Sequence, residues 1–222
     1  MKRSLMNFMA EEVVVSKFDF EEDRLDIKNF VIDYFEYRIA KEGEEWYESP
    51  GLVDGVQKEH IAMRRVAAIF EERGRADIQN MAQQILDDSQ LAFPRFCDVL
   101  DEFNRTESED SKQMSYGRLV GLMAFSGALA AELIKNNQRR EVQQILLYTS
   151  TFIGTRIRLT WPTEGRSWAD FMKFAADICR RKEARKKRDE EENRRRSRRL
   201  SIGIAVGVGV VIAAGVGAKM FR

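Results

Sequence analysis

The residues with the most chemical potential stand at the head of one apolar stretch. Ser115-Tyr116-Gly117-Arg118 leads into residues 119–131, thirteen positions without a charge. The glycine and the arginine stand where core meets surface, and the arginine puts a permanent cation there. By itself such a cation reads as a solvated first-turn charge. Catalytic chemistry has little support elsewhere. His60 is the one histidine, and its position suits a helix start or a surface. Cys97 and Cys179 form no cluster with metal-ligand spacing and read as packed thiols in a reducing compartment. There is no nucleophile elbow and no phosphate loop. The carboxylates fall in runs, such as Glu42, Glu44 and Glu45 or Glu190 to Glu192, the pattern of solvated faces. These features point away from an enzyme, a cofactor or a metal, and toward a surface or groove that binds other proteins.

The apolar stretch also dictates the architecture around it. Thirteen uncharged residues are too few for a membrane span, which needs about 20. A helix of that length, apolar on every face, must be enclosed by other helices. Gly121, Ala124, Ser126, Gly127 and Ala128 let those neighbours approach, so Gly121 and Gly127 are both expected to be shut in. Ile27, Phe30, Val31, Tyr34 and Phe35 predict an amphipathic helix over 25–40. Ser49-Pro50-Gly51 and Asp54-Gly55 mark an irregular connection. Met63, Val66, Ala67 and Phe70 form a stripe over 57–73, with Gly74 as its end. Ile78, Met81, Ala82 and Ile85 repeat the offsets, as do Phe93, Phe96, Cys97 and Leu100, with Pro94 tolerable in a first turn. Beyond the apolar helix, Val142, Ile145, Leu146, Thr149, Phe152, Ile153 and Arg156 keep helical spacing, so two long helices form a hairpin. Trp161-Pro162 and Gly165 break that pattern. Ser167 caps a short closing helix with Trp168, Phe171, Met172 and Ala175. No strand pattern appears, so the fold class is all-α.

Charge divides the chain. Residues 180–199 carry twelve basic and five acidic side chains, whereas residues 1–179 have a net charge of −8. An acidic body argues against a nucleic-acid binder. Residues 200–218 are uncharged and, as a helix, span roughly 28 Å, close to a bilayer core. A basic collar followed by such a segment reads as a tail anchor with the body in the cytosol. The expected division is a mobile arm over 1–23, a helical domain over 24–179, a basic linker over 180–199 and an anchor over 200–222.

The motifs, taken together, resemble the Bcl family of apoptosis regulators. Ser115-Tyr116-Gly117-Arg118-Leu119 with Phe125-Ser126-Gly127 resembles the first homology region, and residues 161–174, with Trp168, Asp170 and Phe171, resemble the second. Residues 63–71 look like the third, death-helix region. Residues 24–40, with Asp33-Tyr34-Phe35 and Arg38-Ile39, look like the fourth region of protective members. The resemblance covers nearly the whole chain. It is nearest the nematode cell-death inhibitors of the family, through Trp46, Pro50-Gly51-Leu52, Gly55-Val56-Gln57, Tyr148-Thr149-Ser150, Thr155-Arg156-Ile157-Arg158 and Arg166-Ser167-Trp168.

What the resemblance implies is specific. The fold would be a globule of about eight helices around a central apolar hairpin, with a groove that receives an amphipathic death helix from an activator protein. Gly117 would give that helix room and Arg118 would pair with its aspartate. Tyr116, Phe70, Met81, Ile85 and Val120 would complete the groove. Vertebrate members of the family usually carry Asn-Trp where this chain has Ser115-Tyr116. Ala67-Ala68 replaces the Gly-Asp pair of activators, so the chain looks like a receptor for death helices. A protective member would hold an apoptosome adaptor ATPase inactive at the mitochondrial outer membrane until an activator fills the groove. A pore-forming member of the same fold and a tail-anchored tether or scaffold are the alternatives. Deleting residues 200–222 should move the protein from the membrane to the soluble fraction with its helical circular dichroism intact. A truncated chain that still pelleted with mitochondria after a high-salt wash would exclude the anchor.

Overall fold

A computed structural model describes residues 25–86, 92–105 and 113–217, and it is all-helical over them. Six helices follow one another: α1 Ile27–Lys41, α2 Lys58–Leu86, α3 Ala92–Arg105, α4 Tyr116–Lys135, α5 Arg139–Glu164 and α6 Trp168–Gly217. The count is below the expected eight because two pairs of expected segments are continuous. The chain has two compact units, residues 1–175 and 176–222, and α6 contributes to both.

The first unit is built on α4. Every residue from Leu122 to Ala131 is buried. By length and composition α4 would pass for a membrane span, but 78% of its most apolar window is covered by the rest of the body. It is therefore a core helix, packed by α1, α2 and α5. Ser115 caps it, accepting a bond from the Arg118 backbone N–H at 3.2 Å, as an N-terminal serine should. Asn136 ends it, and Asn137 takes φ 57° in the turn to α5, a conformation that asparagine tolerates better than most residues.

α1 begins at Asp26, whose carboxylate accepts from the N–H groups of Lys28 and Asn29. A single apolar stripe was expected here, but the helix is covered more widely. Phe30, Val31, Tyr34 and Phe35 are fully buried, and Ile32 and even Asp33 are 1% exposed. Contact with α2, α4 and α5 together explains the difference.

Gly74 breaks the helical geometry of α2, as expected, at φ −110°, ψ 22°, and the helix resumes beyond this kink. Pro162 does not break α5, which continues to Glu164 and stops, as expected, at Gly165, which has φ 61°. Pro162 lies in the last turn, where its missing N–H interrupts little, and the left-handed glycine closes the helix. Trp161, far from marking a break, is 2% exposed and packs edge-on against Trp168 at 4.9 Å. Ser167 does cap α6, accepting from the Asp170 N–H at 3.1 Å.

A polar seam joins α1 to α2 and α4. The Tyr34 hydroxyl donates to Glu71 Oε1 at 2.8 Å, Arg38 Nε to the same oxygen at 3.0 Å, and Lys41 Nζ to Glu71 Oε2 at 3.3 Å. Arg38 also reaches Glu42, which receives Lys135 from α4 at 2.9 Å. The hydrogen bonds from Lys135 and Arg38 hold the Glu42 carboxyl down at about 2. Burial, and then the Glu71 charge, push the Tyr34 phenol well above its ordinary range. A second seam is formed by Asp33, which takes a fork from Arg64 of α2.

His60 stands beside that fork, at a helix start as expected but buried, at 1% exposure, rather than on the surface. Its Nδ1 accepts the Gln57 N–H at 3.0 Å, which fixes it as the acceptor nitrogen. Burial, the first cause, and the nearby Arg64 charge lower its pKa from the ordinary value, against the attraction of Asp33 and Glu59. The folded state therefore favours neutral His60, and protonation as pH falls through the unfolded value of about 6.5 favours unfolding. The melting temperature should drop between pH 7 and pH 5.5, and His60→Asn, which keeps an acceptor for Gln57, should flatten that drop. Equal slopes for both proteins would remove His60 as the cause.

Gly127 gives the second test. A Cβ built there would lie 2.6 Å from Tyr34 Cε1 and 3.0 Å from Cδ1. Gly127→Ala should cost about 1 to 3 kcal/mol through overpacking. Gly127→Glu adds a buried unpaired charge and should unfold the domain, given a total stability of about 5 to 15 kcal/mol. Chemical denaturation checks both; an unchanged midpoint for Gly127→Ala would mean that α1 shifts freely.

Candidate functional site: the head of helix α4

The α4 head combines an open glycine, a cation and an aromatic lid. Gly117 is exposed, and a Cβ there would meet nothing within 4 Å. Gly121 follows four residues later on the same helix face. A Cβ at Gly121 would lie 3.3 Å from Phe70 Cζ, so the Phe70 ring of α2 rests on the α4 backbone. Phe70 is nevertheless 43% exposed. Gly121 is thus half-covered by one side chain rather than enclosed, unlike Gly127. Arg118 is half-buried, and its Nη1 donates to the Gln113 carbonyl at 3.1 Å. This contact leans the guanidinium along the first turn instead of leaving it loose in solvent.

The remaining residues assigned from sequence divide into three groups. Met81 is 40% exposed, on the second segment of α2 beyond the Gly74 kink. Ile85 and Val120 are 3% and 2% exposed; they are core residues here, because the inner faces of α2 and α4 pack on each other. Tyr116 turns away from the Phe70 side. Its ring meets Trp161 at 5.5 Å, Phe174 at 5.6 Å and Phe171 at 6.0 Å, and Arg166 stands over it. Its hydroxyl donates to the Ser167 carbonyl and accepts from the Ser167 N–H, both at 3.1 Å. Tyr116 was expected to help line the groove with Phe70; its ring stands instead among residues of α5 and α6.

The segment that leads into α4 is held by residues of α5 and α6 that sequence reasoning did not connect to it. The Met114 N–H donates to Thr160 Oγ1 at 3.2 Å, and Trp161 Nε1 donates to the Met114 carbonyl at 2.8 Å. With the Ser167 bonds, these fix both backbone groups of Met114 and the direction of the first α4 turn. No sequence signal joins positions about fifty apart; only the fold brings them together.

Most of the death-helix-like stripe is spent inside the body. Met63, Val66 and Ala67 are at most 3% exposed, and only Phe70 of the four reaches the surface. Among the described residues no cluster of metal-ligating side chains occurs.

Residues 63–168 match the family described as apoptosis regulator proteins of the Bcl-2 family. The chain is 42% identical over 174 residues to the apoptosis regulator ced-9 of Caenorhabditis briggsae, across 78% of this chain and 65% of that protein. It is 42% identical over 155 residues to the Caenorhabditis elegans protein of the same name, across 69% and 55%. It therefore spans less than two thirds of the length of either relative. A crystal structure of a CED-9/EGL-1 complex is similar with a TM-score of 0.67 and 39% identity, over 73% of this chain and 98% of that one. Sequence, fold and the exposed Gly117 beside Arg118 agree, and the chain belongs to the Bcl-2 family of apoptosis regulators.

Proposed function

We propose that this chain inhibits apoptosis by holding an apoptosome adaptor ATPase, and that an activator protein neutralises it by seating an amphipathic death helix at the head of α4. The observation that carries the reading is the open backbone at Gly117 with Arg118 beside it and Phe70 laid over Gly121. A helix needs close backbone approach and apolar contact, and a charge fixes its register. The buried Met63–Val66–Ala67 stripe supports a receptor rather than a donor. The likeness to a CED-9 chain crystallised with EGL-1 supports occupancy by a protein ligand. The identities to proteins named apoptosis regulators support the process.

The binding of activator and adaptor would be opposed, as two ligands preferring different conformations of one protein must be. Residues 200–218, whose side chains lie outside those described, would anchor the chain in the mitochondrial outer membrane. Residues 180–195 support that placement by their charge: nine are basic and five acidic, and nearly all are exposed, as an anionic leaflet requires.

The test is a double-mutant cycle. Arg118→Ala should weaken binding of an aspartate-bearing amphipathic peptide by about 2 to 4 kcal/mol, since the carboxylate loses its partner in a half-buried site. The loss should largely vanish for the same peptide with alanine in place of aspartate. Gly117→Val should block both peptides. Equal affinity for wild type and Arg118→Ala, with both proteins folded, would overturn the groove. Affinity capture from cells should recover the adaptor, and the activator peptide should release it.

A further inference from the structure

We propose that Tyr116 is a positioning residue for the Gly117–Arg118 pair, acting through the backbone of Ser167; the proposal rests on the groove reading above. Three observations carry it. First, the Tyr116 hydroxyl is a two-way bridge, donating to the Ser167 carbonyl and accepting from the Ser167 N–H, both at 3.1 Å. A phenol that satisfies both backbone groups of one residue defines a position, where a lone bond would define only a distance. Second, the same short stretch is fixed from behind by Thr160 and Trp161 through both backbone groups of Met114. Residues 160–167 thus hold the α4 head at two points, Met114 and Tyr116, one before and one at its first turn. Third, Arg118 lies one half-turn further on and bonds the Gln113 carbonyl of the segment so held. The guanidinium is referenced to Gln113, and that segment is referenced to α5 and α6.

The consequence is a division of labour within one turn. Tyr116 faces the aromatic set of Trp161, Phe171 and Phe174 and does not touch the ligand. Gly117 and Arg118 meet the ligand and owe their placement to it. Binding energy depends on how little ordering the site must undergo, so a pre-placed cation binds better than a loose one. Losing the bridge should therefore act mainly on the charge-dependent part of binding.

Tyr116→Phe tests this, because it removes only the hydroxyl and keeps the ring in its aromatic set. The probes are a synthetic amphipathic peptide of about 20 residues with one aspartate, and its aspartate-to-alanine version, measured on the full chain. The aspartate peptide should bind about fivefold to tenfold more weakly, the scale of a lost neutral hydrogen bond. The alanine peptide should change less than twofold, and the Ser167 amide should exchange with solvent at least tenfold faster. Unchanged affinity for the aspartate peptide, or an equal loss for both peptides, would overturn the proposal. Tyr116→Leu, which also empties the aromatic set, is the control for a merely structural role. It should lower the melting temperature clearly, whereas Tyr116→Phe should leave it within a few degrees; a comparable fall in both overturns positioning in favour of packing. A wild-type chain that binds neither peptide sinks the groove reading instead. The Arg118 Nε–H resonance then decides the tie alone: a shift in Tyr116→Phe supports it, and an unmoved signal overturns it.

Discussion

The approach of α1 to α4 at Gly127 is the constraint on which the rest of the body depends. The space that a side chain would take is filled by the Tyr34 ring, so the two helices meet backbone to ring. A tyrosine pressed this deep cannot send its hydroxyl to water. It must find a buried acceptor, and Glu71 of α2 supplies it. A buried carboxylate in turn needs cations, and Arg38 and Lys41 come from the same α1 that carries Tyr34. One close contact therefore commits three helices. Such a network is a demanding way to hold helices together, because removal of any one member strands the others without water.

Two glycines of α4 show how one residue type serves two ends. At Gly127 the covering ring is buried and bonded, and the contact belongs to the core. At Gly121, six residues earlier, the covering ring is Phe70, which is nearly half exposed and can turn aside without exposing an unsatisfied polar group. The core end is rigid because its cover has a hydroxyl to satisfy; the surface end is adaptable because its cover has none. This contrast, together with the free space over Gly117 and the half-buried Arg118, is the basis on which the head of α4 is proposed to receive a helix.

Much of this was legible in the sequence, where local pattern and global fold agree. The charge-free stretch announced a core helix, the Met63–Phe70 and Phe93–Leu100 stripes announced α2 and α3, and Ser167 announced a cap. The misses share a physical cause. Pro162 is a breaker by local propensity, but it stands in the last turn of α5, which Gly165 then closes. His60 and Asp33 are polar by composition, yet Arg64 and the Gln57 N–H make their burial tolerable. Tyr116 was assigned to the groove because its neighbours belong there. A shift of one position turns a side chain through about 100° on a helix, and the partners that set its direction lie about fifty residues downstream. The family resemblance pointed to one turn of α4 but could not choose which way each of its side chains faces.

The bonds from residues 160–167 to the α4 head also set an order in time. A chain emerging from the ribosome displays Gly117 and Arg118 well before Thr160, Trp161 and Ser167 exist to hold them, with sequence separations of 46 to 51 residues. At synthesis rates of about 5 to 20 residues per second, that interval lasts about 2 to 10 s. During it, the glycine and the arginine are present as residues but not as a site. On the proposed reading, a nascent chain would be unable to capture a helical ligand prematurely, and recognition would start only when the last turn of α5 and the first of α6 have arrived.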